Sequence, residues 1–116
     1  EARLLGVCLF TLQTVEEGSA VHSRFFAPAV GIDEDPVTGS ANGPLGVYLQ
    51  TYAERAGFPI PSLWMPDGRL EYIGEQGDVL HRRGRVKMRL SVGRSGVQSL
   101  SIAGEAVTLS RSEFIL

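Results

Sequence analysis

The chain opens on an apolar run, Leu4 to Leu12, with little alternation between faces, as in a strand buried on both sides. Thr14 to Ala20, containing Glu16-Glu17-Gly18-Ser19, reads as a turn. Val21 to Phe26 reads as a second strand, with His22 and Arg24 alternating against Val21, Ser23 and Phe25, and the two strands form a hairpin. Ala27 to Gly39 is rich in proline, glycine and acid and reads as an irregular loop. Helical spacing follows: Leu45, Tyr48, Leu49, Tyr52, Ala53 and Ala56 share one face. Gly57 is a natural stop, Pro59 and Pro61 forbid continuation, and Pro59 to Gly68 is a loop. Four strands are predicted after that. They are Arg69 to Gly74, Arg85 to Val92, Val97 to Ile102 and Ala106 to Leu109, with Gly93-Arg94-Ser95-Gly96 as a hairpin turn.

A lone amphipathic helix among antiparallel strands predicts an α+β fold, a curved, mostly antiparallel sheet wrapped around one central helix. Tyr48, Leu49 and Tyr52 are expected to fill the concave side. At 116 residues, with 43% hydrophobic and 21% charged side chains, residues 1–116 suit one packed domain. The net charge of −2 argues against a broad nucleic-acid footprint. Cys8 is the single cysteine, so no intrachain disulfide forms; it reads as a buried core thiol, and metal-type spacing is absent. No apolar stretch reaches the roughly 18 residues of a membrane span. A chain that starts at Glu1 and runs straight into Leu4 reads as truncated or processed, with a cytoplasmic location as the default.

The chemistry concentrates between Arg24 and Leu45. Thr38-Gly39-Ser40-Ala41-Asn42-Gly43 stands at the entrance of the helix. The first amides of a helix lack internal partners and lie at the positive end of its dipole, which makes an anion site for a carboxylate or phosphate. Gly39 and Gly43 permit close approach to the backbone. Pro44 is best tolerated at the first helical position, so the regular helix is expected to begin there and leave the preceding amides to a ligand. Asp35, extended because Pro36 follows it, is placed to relay or accept a proton. On spacing alone an alternative stays open: Thr38 or Ser40 is an N-cap and Asp35 merely complements the dipole. Neither a P-loop nor a G-x-G-x-x-G pattern is present here.

Glu34-Asp35-Pro36-Val37-Thr38-Gly39-Ser40-Ala41, followed by Gly43-Pro44-Leu45, resembles the E-D-P-x-T-G-S-A signature of the phenazine-biosynthesis (PhzF-like) isomerases. Arg24-Phe25-Phe26-Ala27-Pro28 matches their R-x-F-x-P element. Gln76-Gly77, Gly84-Arg85, Gly104-Glu105-Ala106-Val107 and Glu113-Phe114 resemble the family's ending. The resemblance implies a diaminopimelate-epimerase-like fold of two halves, each a half-barrel around a helix, with a cleft between them. It implies proton transfer on a small carboxylate-bearing substrate with no metal or organic cofactor. It places Asp35 as the second-half carboxylate, and Thr38, Gly39, Ser40 and Ala41 as substrate-binding positions. The acid/base glutamate of the N-terminal half has no counterpart here. The chain is therefore expected to be the C-terminal half of an isomerase, inactive alone, needing a complementary half or self-associating.

A noncatalytic ligand-binding or assembly module is the alternative. An amino-acid epimerase or racemase is a third, ranked lower because that relative uses paired cysteines. His22 and His81 read as strand or turn residues, and His81-Arg82-Arg83-Gly84-Arg85 as a solvated basic loop. Trp64 reads as a packing anchor, and Tyr48 and Tyr52 as core residues.

Overall fold

The computed structural model describes residues 4–53, 55, 63–64, 67 and 69–115. The strands are β1 (Val7–Thr11), β2 (Val21–Ala27), β3 (Ile32–Asp35), β4 (Leu63–Trp64), β5 (Arg69–Gln76), β6 (Gly84–Gly93) and β7 (Gly96–Ala103). A single turn of 3₁₀ helix covers Pro28–Val30, and helix α1 (Gly39–Tyr48) loosens into a wider π-helical turn over Leu49–Ala53. The seven strands make one sheet in the order β1-β2-β5-β6-β7, with β3 beside β2 and β4 beside β5. All pairings are antiparallel except β2 with β5, where Val21, His22 and Ser23 align parallel with Gly74, Glu75 and Gln76. The expected α+β class and both hairpins are present.

The core lies between one sheet face and α1. Val21 on β2, Leu70 and Tyr72 on β5, and Val86, Met88 and Leu90 on β6 meet Leu45 and Leu49 from the helix side. The period-2 pattern of β6 is realised, with Val86, Met88 and Leu90 buried and Arg85, Lys87 and Arg89 turned outward. The helix reaches the sheet closely because its inner face is partly glycine. A Cβ on Gly39, Gly43 or Gly46 would meet Ile102, Leu100 or Tyr72 and Met88 more closely than ordinary van der Waals contact allows. Within the described residues no helix is long and apolar enough to cross a membrane.

Several expectations are corrected. β1 pairs only with β2, so it forms a sheet edge among the described residues, and its side chains are mostly exposed rather than buried on both faces. Cys8 is accordingly half-buried, with burial pushing its thiol pKa up. The loop after β2 contains the short strand β3. The helix begins at Gly39, five residues before Pro44, because the tight glycine-rich turn already carries helical hydrogen bonds from Ala41 and Asn42 to the Thr38 carbonyl. Pro44 then removes the bond that the Ser40 carbonyl would accept. Tyr48 and Tyr52 are each 49% exposed; they form an aromatic row with Phe10 of β1, centroids 5.8 and 4.9 Å apart, instead of filling the core. Glycine and Asn42 occupy the inner face near the helix start, so the tyrosines fall to its side. Ala106 to Leu109 is not a strand: the chain leaves β6 after Ala103, no strand among the described residues receives it, and Leu109 is 93% exposed. The expectations for Ala56, Gly57, Pro59, Pro61 and the Trp64 side chain lie outside the described residues.

On the outer face, Glu75 fastens the turn between β1 and β2 to the sheet. Its side chain is fully buried and accepts from the amides of Val15 and Glu16, both at 2.8 Å, and from His22 Nδ1 at 2.9 Å. Arg85 binds both oxygens of Asp78, at 2.9 and 2.8 Å, and both of Glu16. Arg85 thus belongs to strand β6 and an ion-pair network, not to a solvated loop. His22 is a strand residue as expected, and His81 a turn residue at φ 55°. Burial pushes the Glu75 pKa up, but the donors from Val15, His22, Glu16 and Ser19 prevail and bring it to about 2.

A value held below the ordinary 4.5 stabilises the fold above that pH, and the stabilisation is lost as pH falls toward 2. Glu75→Gln should therefore cost on the order of 2 kcal/mol at about pH 6 and little at about pH 2.5, read from urea titrations. Equal costs at both pH values would refute the assignment. A second test concerns Gly77, whose φ is +84° and whose added Cβ would run into the carbonyl oxygens of Arg82 and Pro36. Gly77→Ala should cost about 2 kcal/mol or more by chemical denaturation, with Gly18→Ala, which meets nothing within 4 Å, as the neutral control.

Candidate functional site

The segment Asp35-Pro36-Val37-Thr38 connects β3 to α1, and the end of β5 holds it. Along β5 the inward positions are Leu70, Tyr72, Gly74 and Gln76, all buried. A glutamine on that face needs polar partners, since an unpaired buried amide costs about 1–3 kcal/mol. Gln76 finds four. Its Oε1 accepts from the Thr38 amide at 3.1 Å and from Asn42 Nδ2 at 2.8 Å. Its Nε2 donates to the Asp35 carbonyl at 2.7 Å and to Thr38 Oγ1 at 3.0 Å. Asn42 Nδ2 also donates to the Thr38 carbonyl at 3.0 Å.

Two glycines let this segment pack closely. Gly77 lies against the Pro36 backbone, and Gly84 against the side chain of Val37, where a Cβ would collide outright. On the β2 side, Arg24 holds Glu34 through two 2.8 Å bonds and lies 5.0 Å over the Phe26 ring. The Arg24 guanidinium thereby lowers the Glu34 carboxyl pKa. The R-x-F-x-P and E-D elements thus meet in space, with Asp35 aligned to Phe25 in the β2–β3 ladder.

Asp35 is half-buried and its Oδ2 accepts the Thr38 hydroxyl at 2.5 Å. The backbone donors at the helix start divide into two groups. The Thr38 amide goes to Gln76 and the Ala41 amide to the Thr38 carbonyl at 3.2 Å. Among the described residues, the amides of Gly39 and Ser40 have no hydrogen-bond partner. Of the four positions expected to bind a ligand, Thr38 and Ala41 therefore serve the loop itself, and Gly39 and Ser40 present free donors. Thr38 is the N-cap by backbone geometry, yet its hydroxyl turns to Asp35 rather than to the helix. Ser40 is exposed at the tip of the helix.

The entrance is open. A groove of about 870 Å³ runs past Gly39, with Val37, Gly84, Ile102, Gly104 and Glu105 among its walls. Arg83, Arg85, Lys87 and Arg89 also line it, and they pair with Glu16, Asp78 and Glu71. A separate group, His22, Glu75 and Asp78, brings its side-chain nitrogen and oxygen atoms within 4.8 Å of one another. Its carboxylates are already engaged by backbone amides, the imidazole and Arg85, so it serves as a structural network. The reading of residue types pointed to Asp35 and the helix entrance but not to Gln76, Asn42, Gly77 or Gly84 as the parts that hold them. The available signal was a polar residue in register with Leu70 and Tyr72.

Comparison with known proteins places the chain in a family. The family model described as phenazine biosynthesis-like protein (PhzC-PhzF) matches residues 1–112. An uncharacterized isomerase of Clostridium acetobutylicum is 34% identical over 112 residues, covering 96% of this chain and 34% of its own length. The uncharacterized isomerase YddE of Escherichia coli is 35% identical over 94 residues, covering 80% of this chain and 29% of its own. The crystal structure of the Bacillus anthracis phenazine biosynthesis protein, PhzF family, superposes with a TM-score of 0.72 at 32% identity, covering 96% of this chain and 35% of that one. The chain thus spans about a third of the length of the relatives it matches. With the signature residues assembled at one helix entrance and the family match running over nearly the whole sequence, the chain belongs to the phenazine biosynthesis-like (PhzC-PhzF) family.

Proposed function

We propose that this chain is the C-terminal half of an isomerase that moves a proton on a small carboxylate-bearing substrate, without a metal or organic cofactor. The observation that carries the reading is the pair of amides, Gly39 and Ser40, without hydrogen-bond partners among the described residues, at the positive end of α1 with the Asp35 carboxylate tied just ahead of them. Removing a proton from a carbon conjugated to a carboxylate moves negative charge onto that carboxylate. Preorganised amides and the helix dipole stabilise that charge without reorganising during the reaction. Asp35 supplies a carboxylate beside the same spot, able to take or return a proton. A second acid/base, the glutamate that the family resemblance places on the N-terminal half, lies outside this sequence. The closed cavity likewise requires both halves.

The relatives are about three times the length of this chain, which leaves room for a complementary part, and the surface of this chain supports one. Leu9, Phe10, Tyr48 and Tyr52 are exposed on the β1 and α1 side, and Val107, Leu109, Phe114 and Ile115 along the C-terminal segment. Large apolar patches of this kind mark interaction surfaces. The complementary half is the proposed occupant, with self-association as its substitute in the isolated chain. The substrate, in this reading, is small and anionic, and the working location is the cytoplasm.

Joined to the rest of its polypeptide, the protein should incorporate deuterium from heavy water into a carboxylate-bearing substrate, and the 116-residue chain alone should not. Asp35→Asn should reduce that incorporation by about 100-fold with unfolding free energy changed by less than about 1 kcal/mol. Binding without any exchange in the joined protein favours the noncatalytic module instead. In sedimentation velocity, the isolated chain should show concentration-dependent association. A clean monomer at high concentration would sink the claim that its apolar surface needs a cover.

A further inference from the structure

The geometry points to Gln76 as a positioning residue that sets the direction of the hydrogen bonds reaching Asp35, an inference that rests on the isomerase reading of the site. The side-chain amide has a donor end and an acceptor end, and its surroundings determine which is which. The Thr38 amide and Asn42 Nδ2 can only donate, and both point at one Gln76 atom, which must be Oε1. The other end is therefore the NH₂ group. It spends its two hydrogens on acceptors, the Asp35 carbonyl and Thr38 Oγ1.

The orientation then propagates. Thr38 Oγ1 already accepts from Gln76, and its own single hydrogen goes to the neighbouring Asp35 Oδ2 at 2.5 Å. The result is a one-way relay, from Asn42 through Gln76 and Thr38 to Asp35. It makes the two carboxylate oxygens unequal. Oδ2 is tethered by the hydroxyl, while Oδ1 has no hydrogen-bond partner among the described residues and is the oxygen left to exchange a proton. Gln76 also fixes the backbone at Asp35 and Thr38, which flank the turn that aims the Gly39 and Ser40 amides. Its burial, 1% exposed, keeps water from offering competing donors.

Gln76 touches no ligand in this scheme and acts through Asp35 and Thr38. The first experiment uses the isotope-labelled 116-residue chain and reads the scalar coupling across the hydrogen bond from Gln76 Nε2 to the Asp35 carbonyl carbon. The coupling is expected in the wild type and absent in Gln76→Glu, whose carboxylate cannot donate. The second uses the full polypeptide with both halves and follows deuterium exchange. Gln76→Glu and Thr38→Val should each lose about tenfold or more in kcat with KM within about twofold, because misdirected groups cost turnover rather than binding. Thr38→Ser, which restores the hydroxyl, should recover most of the kcat lost in Thr38→Val.

Absence of the coupling in the wild type overturns the proposal. So does wild-type exchange accompanied by an unchanged kcat in Gln76→Glu, an outcome that leaves the isomerase reading intact. The coupling in a full-length protein that shows no exchange sinks the isomerase reading and upholds the Gln76 hydrogen-bond assignment. Should Gln76→Glu fail to fold, the Thr38→Val and Thr38→Ser pair decides alone: equal kcat in the two overturns the relay.

Discussion

The arrangement depends on one buried side-chain amide. Gln76 closes β5, and its four hydrogen bonds pull the Asp35–Thr38 segment and the first turn of α1 onto the sheet. Without them the Thr38 amide would lose its partner in the interior, and Asn42 Nδ2 would keep only its bond to the Thr38 carbonyl. Glycines 77 and 84 serve the same end by removing side chains from the path of Pro36 and Val37. A glutamine at the end of one strand, a glycine just after it and another at the start of the next strand look ordinary singly. Together they define where the helix begins and which of its amides stay free.

Much of the fold was legible from residue patterning. The alternation Val86, Met88, Leu90 places β6 and its faces, and the Gly93–Gly96 turn places the β6–β7 hairpin. The helix was detectable from Leu45 and Leu49, but its start was not, since Pro44 suggested a later origin and the helix instead begins on glycine. Period and propensity describe a chain segment by itself, so they fail where the decisive partner is distant. β1 reads as a core strand because Leu4 to Leu12 is apolar, yet a strand is buried only if neighbours cover it. Ala106 to Leu109 alternates as a strand should, yet a ladder needs a second strand to bond with. Tyr48 and Tyr52 keep helical register with Leu45 but fall on the side toward the exposed strand β1.

For the site, the sequence located the charged and backbone groups, and the structure supplied their allocation. Asp35 and the amides after it are recognisable because a helix entrance next to a carboxylate is a local feature. The division into amides used internally and amides left open depends on Gln76, 38 residues from Thr38 in sequence. A similar contrast separates two of the acidic groups on the sheet, Asp35 and Glu75. Asp35 keeps one oxygen open near the helix, whereas Glu75, the very next residue to Gln76, faces the other way and is saturated by the turn it fastens.

The parallel pairing of β2 with β5 has a consequence for how the site and the fold depend on each other. Among the described residues three aligned pairs, Val21 with Gly74, His22 with Glu75 and Ser23 with Gln76, stitch the N-terminal hairpin to β5 by sheet pairing. Gln76 belongs both to that seam and to the helix entrance, so the join between distant parts of the sequence and the mouth of α1 share a residue. An anion that occupies the mouth only when the seam is closed adds its binding free energy to the closed form. Occupancy and the cohesion of the sheet are in that sense one equilibrium viewed from two sides.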